Sequence, residues 1–259
     1  MKDKIVVVTG STSGIGFGIA SKFAKNGATL VINGLASDSE VKKLSSELKL
    51  LGAAEVLFDS ADLSKPAEID RMFKNIIQKY QRVDVLVNNA GIQFVSPIEN
   101  FPPEKWEMII RIDLIAAFYT IKNVIPIMKQ QKWGRVINIA SAHALVASPF
   151  KSAYVAAKHG LIGLTKSVAL EVAQDGITVN SICPGYVKTP LVVNQIADTA
   201  KARSMSEEDV IKNVILGVQA TKKFVEIEEI ADFVYFLSSD SASSITGAAL
   251  SIDGGWTAQ

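Results

Sequence analysis

The sequence predicts an α/β protein built on one seven-stranded parallel sheet. Short runs rich in β-branched residues alternate with longer amphipathic stretches along the chain, a pattern typical of right-handed βαβ units. The short runs are continuously apolar, which indicates strands buried on both faces. The 259 residues are 48% hydrophobic and 20% charged, enough for a packed core. We therefore expect a doubly wound sheet in a single domain over residues 1–259.

Each predicted strand is followed by a polar or glycine-containing turn. In chain order the strand candidates are 5–9, 29–33, 54–58, 83–87, 135–140, 177–182 and 248–252. Apolar residues recur at helical spacing between them, in 14–26, 66–80, 104–130, 152–174 and 226–238. Residues 186–225 do not fit a simple crossover, because helical fragments replace one long helix. Insertions of that size are usually functional, so we expect a substrate lid there.

Composition narrows the class of function. The formal net charge is +1, with Lys and Arg spread along the chain, which gives no sign of a nucleic-acid or membrane-surface partner. Cys183 is the single cysteine, and we expect it to be a small buried residue at a strand end in a reducing compartment. Residues 1–4 leave no room for a signal peptide, and no apolar stretch reaches the roughly 18 residues of a membrane span. A soluble cytoplasmic protein is expected.

A glycine-rich turn follows the first strand. Gly10, Gly14 and Gly16 allow a tight turn, a close approach to a pyrophosphate and close packing of helix on strand. The following helix offers free N–H groups to the anion. NNAG (88–91) and PGYVKT (184–189) end later strands at the same carboxyl edge, where open α/β sheets bind ligands. Together these turns indicate a Rossmann-type dinucleotide site.

The choice of dinucleotide depends on the end of the second strand. A carboxylate there would bond the ribose hydroxyls, whereas Lys or Arg would hold a 2′-phosphate. The chain instead has Asn33, Gly34 and Leu35. Asn33 can bond a ribose hydroxyl and no cation is present, so NAD is favoured over NADP.

Tyr154 and Lys158 lie four residues apart, thirteen residues after Ser141. Residues at this spacing are neighbours on a helix. A nearby ammonium lowers the tyrosine pKa from its usual value of about 10, which makes Tyr154 a candidate general acid/base. Ser141 can donate a hydrogen bond to the reacting oxygen. An ordinary amphipathic pair is the alternative for Tyr154 and Lys158 taken alone, and the glycine turn and Ser141 favour the catalytic interpretation.

The ensemble of TGSTSGIG (9–16), NNAG, Ser141, Tyr154-x-x-x-Lys158 and PG–T resembles the short-chain dehydrogenase/reductase family over nearly the whole chain. Within that family the chain is most similar to bacterial (R)-3-hydroxybutyrate dehydrogenases, through ADLS (61–64), NNAGIQ (88–93), IASAHALVAS (139–148), KSAYVAAKHG (151–160), ICPGYVKTPLV (182–192) and DGGWT (253–257). The resemblance implies reversible, NAD-dependent oxidation of (R)-3-hydroxybutyrate to acetoacetate by a cytoplasmic homotetramer of ketone body metabolism, with no metal.

The resemblance also implies roles for individual residues. Tyr154 is the general acid/base, Ser141 orients the reacting oxygen, and Lys158 tunes Tyr154 and holds the nicotinamide ribose. Asp62 and Leu63 would contact the adenine. The full cofactor set is Gly10, Thr12, Ser13, Gly14, Ile15, Gly16, Asn33, Leu35, Asp62, Leu63, Asn89, Ala90, Gly91, Tyr154, Lys158, Pro184, Gly185, Val187 and Thr189.

Four polar residues converge on the expected cleft beyond what hydride transfer needs: Gln93, His143, Lys151 and Gln195. Each taken singly could be an ordinary loop or surface residue. A cation facing a cleft for a neutral substrate would lack a partner, whereas a carboxylate would supply one. The resemblance assigns these four residues to the substrate carboxylate and assigns Tyr186 and Trp256 to the methyl end. Trp256 could instead be an interface aromatic.

Asp113 departs from the family pattern, which has an asparagine at this position with a backbone role in the proton relay. An ionised Asp113 close to Lys158 would oppose the lowering of the Tyr154 pKa. Alternatively, the carboxylate only accepts hydrogen bonds from backbone N–H groups. We expect the relay to survive in either case.

Two other functions remain open on the sequence. One is a short-chain enzyme acting on another small polar alcohol, a sugar or a 3-oxoacyl thioester. The other is a nucleotide-sensing regulator without turnover, which would not need Ser141, Tyr154 and Lys158. An absorbance assay for NADH formation separates the regulator from both enzymes.

Overall fold

A computed structural model describes residues 1–258 and contains the predicted parallel sheet. Seven strands lie in the order β3-β2-β1-β4-β5-β6-β7, and all neighbouring strands are parallel. Each predicted strand is present, with ends moved by at most two residues. The strands are β1 Ile5–Val8, β2 Thr29–Asn33, β3 Glu55–Asp59, β4 Val85–Asn88, β5 Gly134–Ile139, β6 Ile177–Pro184 and β7 Ala249–Ile252.

Helices cover both faces of the sheet. They are α1 Gly14–Ala24, α2 Asp38–Leu50, α3 Pro66–Tyr80, α4 Pro103–Ile110, α5 Ala116–Gln131, α6 Ser152–Val172, α7 Pro190–Asn194, α8 Ile196–Arg203, α9 Glu207–Asp209, α10 Leu216–Val218 and α11 Ile227–Leu237. Val6 and Val8 of β1 pack in a core with α1, α2 and α11. Ile5 and Val7 of the same strand pack in a second core with α3, α5 and α6. Burial on both faces explains why the strands read as continuous apolar runs.

The helix expected over 104–130 is not one regular helix. A π-helical turn, Arg111–Ile115, separates α4 from α5. Such turns inside α-helices frequently occur at functional sites. Asp113 lies in the middle of this turn and is 2% exposed. The spacing of apolar residues predicted the helix but gave no sign of the π-helical turn.

The carboxyl ends of β1 and β4 meet where the strand order reverses, the usual ligand position in open α/β sheets. Cys183 is fully buried in β6, as expected. None of the helices within residues 1–258 is both long and apolar enough to cross a membrane.

The two ends of the insertion at residues 186–225 lie next to each other. Val187 pairs with Val225 in an isolated parallel bridge, and the Val225 N–H donates to the Tyr186 carbonyl at 2.9 Å. Between these ends the chain forms α7 to α10 and a second π-helical turn, Val210–Ile215. The segment is thus a discrete helical subassembly at the carboxyl edge of the sheet.

Candidate active site

A cleft of about 440 Å³ opens at the carboxyl edge of the sheet. All the residues that the sequence assigned to the cofactor line this cleft except Gly16. Ser141 and Asp113 line it as well. The structure therefore brings together residues from six separate turns, as a dinucleotide site requires.

Gly10 and Gly14 shape the first turn, and both have positive φ (+59° and +54°). A Cβ on Gly10 would lie 2.7 Å from the Ala90 Cα. Gly16 is buried away from the cleft, where a Cβ would collide with the Gly10 carbonyl oxygen, so it serves helix packing instead of ligand contact. Helix α1 begins after Ser13 with no side-chain cap and no acidic residue in its first turn. Its N–H groups are left for an anion.

Asn33 is less available to a ribose than the sequence suggested. Its side-chain amide donates to the carbonyls of Asp59 and Ala61, both at 3.0 Å. Only the side-chain oxygen of Asn33 can therefore meet a ribose hydroxyl. The Asp62 carboxylate accepts hydrogen bonds from the backbone N–H and the hydroxyl of Ser64, at 2.9 and 2.7 Å.

Lys158 holds a fixed position at the centre of the site. Its ammonium donates to the Ile139 carbonyl at 3.0 Å and lies 3.5 Å from an Asp113 oxygen. It also lies 5.5 Å from the centre of the Tyr154 ring. Ser141 is the second residue after β5, and its Oγ accepts the His143 backbone N–H at 3.1 Å. The three predicted catalytic residues are thus assembled by the end of β5 and the first two turns of α6.

The protein alone does not lower the pKa of Tyr154, contrary to the sequence expectation. Burial raises the Tyr154 pKa most, and the Asp113 charge raises it further. The Lys158 charge and a hydrogen bond with Ser141 lower it, but they do not offset burial. The sequence revealed the Lys158 charge, which lowers the Tyr154 pKa. It did not reveal the burial of Tyr154, which is 8% exposed.

Asp113 both accepts a backbone hydrogen bond and lies close to Lys158, so backbone bonding is not its only interaction. One of its oxygens accepts the Ile92 backbone N–H at 2.8 Å. The other, Oδ2, faces Lys158 and makes no hydrogen bond within the described chain. Burial raises the pKa of Asp113 to about 6, although Lys158 opposes that shift. A Cβ on residue 91 would lie 2.9 Å from Oδ2, so Gly91 leaves room for the carboxylate.

Asp113→Asn is expected to shift the acidic limb of the kcat/KM profile for alcohol oxidation to lower pH. Above about pH 6 the Asp113 carboxylate is ionised and raises the Tyr154 pKa. Asparagine keeps an oxygen for the Ile92 N–H and removes the charge. A shift of one pH unit corresponds to about 1.4 kcal/mol. A limb that stays in place or moves upward would show that Asp113 is not coupled to Tyr154.

Four of the predicted substrate residues form one buried cluster beside Tyr154. The Lys151 ammonium donates to the Tyr186 hydroxyl at 3.2 Å. Tyr186 and Trp256 stack with ring centres 5.2 Å apart and planes 6° apart. The His143 ring contacts Trp256, Tyr154 and Tyr186 edge-on, at 4.8, 5.9 and 6.0 Å between centres. Trp256 is 8% exposed, so within this chain it belongs to the cluster.

The electrostatics of this cluster favour an anion. Burial, followed by the charge of Arg203, lowers the Lys151 pKa from 10.5 to about 7. Burial, followed by the Lys151 charge, lowers the His143 pKa well below its ordinary value, so the ring stays neutral. Burial also raises the Tyr186 pKa, which keeps its hydroxyl protonated. No acidic side chain in residues 1–258 forms an ion pair with Lys151.

Gln195 is buried and Gln93 is partly buried, and each has one buried amide atom without a hydrogen-bond partner in the described chain. These atoms are Gln93 Nε2 and Gln195 Oε1. Gln195 Nε2 donates to the Leu191 carbonyl at 2.9 Å. Gln93 therefore offers a free donor, whereas Gln195 offers an acceptor. An unpaired buried amide atom costs free energy unless a ligand satisfies it.

Sequence reasoning missed the apolar lining of the cleft and one positioning contact. The missed lining residues have no chemical signature and become visible only in three dimensions: Gly34, Ala61, Ile92, Ile112, Ile139, Ala140, Pro190, Leu191 and Val192. Ser148 was also missed. Its hydroxyl lies 3.0 Å from His143 Nε2 and fixes the ring with Nδ1 3.4 Å from the Ser141 hydroxyl.

Comparison with known proteins identifies the family. The family profile described as enoyl-(acyl carrier protein) reductase matches residues 10–257. A D-beta-hydroxybutyrate dehydrogenase of Rhizobium meliloti is 55% identical over 256 residues, 99% of both chains. The chain belongs to the short-chain dehydrogenase/reductase family. A D-beta-hydroxybutyrate dehydrogenase of Cupriavidus necator is 47% identical over the full length of both chains.

A solved structure of this family supports the same assignment. The actinorhodin polyketide ketoreductase solved with NADPH matches with a TM-score of 0.93 and 30% identity, covering 100% of both chains. As a short-chain dehydrogenase/reductase, the chain is an oxidoreductase that uses a pyridine nucleotide and acts on a small molecule.

Proposed function

We propose that this enzyme oxidises (R)-3-hydroxybutyrate to acetoacetate, reversibly, with NAD as the hydride acceptor. The observation that carries the proposal is Lys151, a buried cation with no anionic partner in the described chain. It is bonded to Tyr186, whose ring packs on the same His143 that contacts the Tyr154 ring. A buried unpaired ammonium is costly, and a substrate carboxylate would pair with it. The two relatives named above as D-beta-hydroxybutyrate dehydrogenases support this choice.

The cleft fits a dinucleotide. The uncapped start of α1 suits the pyrophosphate, and Lys158 with Tyr154 suits the nicotinamide ribose. When bound, NAD supplies an acceptor for the hydride of the carbinol carbon and a positive charge on the oxidised ring.

The chain's own residues manage the proton. Tyr154 takes the proton of the substrate hydroxyl as general base, and Ser141 donates a hydrogen bond to the same oxygen as charge develops there. The Lys158 ammonium reduces the cost of the phenolate. In the reverse direction Tyr154 returns the proton to the carbonyl oxygen.

Carboxylate recognition follows from the buried cluster. Lys151 would provide a charge-assisted hydrogen bond, and the Tyr186 hydroxyl a further donor. Gln93, which the resemblance assigns to the carboxylate, has a buried Nε2 without a partner in the described chain. Neutral His143 has Nδ1 3.4 Å from the Ser141 hydroxyl and Nε2 3.0 Å from the Ser148 hydroxyl, so it would position Ser141 beside the carboxylate site. Stacked Tyr186 and Trp256 would enclose the methyl end of a short acid.

The preference for NAD rests on the adenosine end of the cleft. Lys158 is the one cation among the described residues that line the cleft. A 2′-phosphate near Asn33, Gly34 and Leu35 would therefore find no charged partner. The interpretation of residues 186–225 as a lid rests on Leu191 and Val192, which line the cleft.

The proposed quaternary state is a homotetramer in the cytoplasm. Its support is limited to two features of the chain. Met108, Ile115 and Phe118 expose 39%, 39% and 46% of their surface along one stretch, as subunit contacts of a homo-oligomer often do before assembly. The single free Cys183 suits a reducing compartment.

One assay tests substrate and cofactor together. NADH or NADPH formation is followed with both enantiomers of 3-hydroxybutyrate, with longer 3-hydroxy acids, and with uncharged alcohols. We expect the highest kcat/KM for (R)-3-hydroxybutyrate with NAD. Equal or better efficiency with NADP would overturn the cofactor assignment. A preference for an uncharged alcohol or a thioester would overturn the substrate assignment.

A further inference from the structure

The insertion carries a second positive charge beside the proposed carboxylate site. Arg203 is the last residue of α8 and is only partly exposed. Its guanidinium carbon lies 5.7 Å from the centre of the Phe150 ring, within the range of a cation–π contact. Phe150 directly precedes Lys151 in the chain, and this contact keeps Arg203 near enough for its charge to lower the Lys151 pKa.

The backbone at Phe150 is unusual for a bulky residue. Its φ is +70°, a region that costs free energy for side chains other than glycine. The Phe150 carbonyl accepts the Ser96 N–H at 2.9 Å, which holds this turn in place. The strained turn directs the ring toward Arg203 while Lys151 enters the interior as the residue before α6.

Three positive features converge here without an anion. The Arg203 charge lowers the pKa values of both Lys151 and Tyr186, so the guanidinium acts on both groups. Helix α6 begins at Ser152 with no side-chain cap and no acidic residue in its first turn, and its dipole adds partial positive charge. The ion pairs found within residues 1–258 include neither Lys151 nor Arg203.

We propose that Arg203 is a specificity-determining residue of the insertion, which selects substrates bearing a carboxylate by placing a second positive charge over the Lys151 site. This inference rests on the proposed function. Like charges that face each other without a partner destabilise the protein, and an anion between them converts that repulsion into attraction. Because Arg203 belongs to α8 while Lys151 belongs to the main fold, the substrate anion also links the insertion to the sheet.

The test uses Arg203→Met, which keeps an unbranched side chain over Phe150 and removes the charge, and Arg203→Lys, which keeps the charge. Lys201→Met on the same helix is the matched control, because Lys201 is exposed and has no role in the site. Kinetics are measured with (R)-3-hydroxybutyrate and with its uncharged methyl ester, at low and high ionic strength. The wild type should prefer the acid.

In Arg203→Met the KM for the acid should rise about tenfold with little change in kcat, as expected for loss of one nearby charge. The KM values for NAD and for the methyl ester should stay unchanged, and the salt dependence of kcat/KM for the acid should weaken. Arg203→Lys should retain most of the acid preference, and Lys201→Met all of it.

If Arg203→Met matches Lys201→Met with the acid at both salt concentrations, the role of Arg203 is overturned while the proposed function stands. If Arg203→Met lowers kcat/KM for the acid and for the ester by the same factor, the role of Arg203 is structural and the inference is wrong. If the wild type does not oxidise the acid, the proposed function and this inference fall together.

Discussion

Lys151→Ala is expected to lower kcat/KM for (R)-3-hydroxybutyrate by roughly 10- to 150-fold or more, because a hydrogen bond to a charged group is worth about 1.5–3 kcal/mol. The loss should fall mainly on KM for the acid. Affinity for NAD should barely change, since Lys151 does not line the cleft formed by the residues predicted to bind the cofactor. Full activity of Lys151→Ala, or a large loss of NAD affinity, would show that the residue does not bind the substrate carboxylate.

A stability measurement separates this role from a structural one. Burial lowers the Lys151 pKa to about 7, so the folded state disfavours the charged form that the unfolded chain carries up to about pH 10.4. The destabilisation is fully present below pH 7 and disappears as the pH rises toward 10.4. Lys151→Met, which fills the space without a charge, should therefore unfold at a higher temperature than the wild type at pH 6. The gap should close with rising pH.

The seven strands and the glycine turns that line the cleft could be predicted because both leave strong local signals. Continuous apolar runs indicated burial on two faces, and β1 indeed packs Val6 and Val7 into opposite cores. Gly10 and Gly14 follow from backbone requirements that few other residues meet. Such constraints act on neighbouring residues in the chain, so they are visible without the structure.

Other features depend on distant residues and were not visible. The raised Tyr154 pKa depends on burial by several elements, which outweighs a Lys158 charge that the sequence did reveal. Asn33 points its amide toward Asp59 and Ala61 because β3 ends beside β2. Nothing in the sequence singled out Arg203, because its contact with Phe150 forms only when α8 packs against the turn before α6.

Tyr154→Phe is expected to reduce kcat by about 10²- to 10⁴-fold, the usual contribution of a general acid/base. Phenylalanine keeps the ring, and with it the packing against His143 and the Lys158 ammonium, whose distances to the ring are 5.9 and 5.5 Å. The fold and NAD affinity should therefore survive. Only the hydroxyl is lost, and with it the group that we propose takes the substrate proton.

Tyr186→Phe provides the matched control for Tyr154→Phe. It also removes one buried hydroxyl, the one that accepts the Lys151 N–H at 3.2 Å, and it leaves the stack on Trp256 intact. Because we place that hydroxyl in the proposed carboxylate site, its loss should raise KM for the acid while kcat changes little. Each variant thus removes one tyrosine hydroxyl from the enzyme. The first is proposed to face the reacting oxygen of the substrate and the second its carboxylate. Loss of kcat in Tyr186→Phe with kcat retained in Tyr154→Phe would reverse the assignment of acid/base and binding residue.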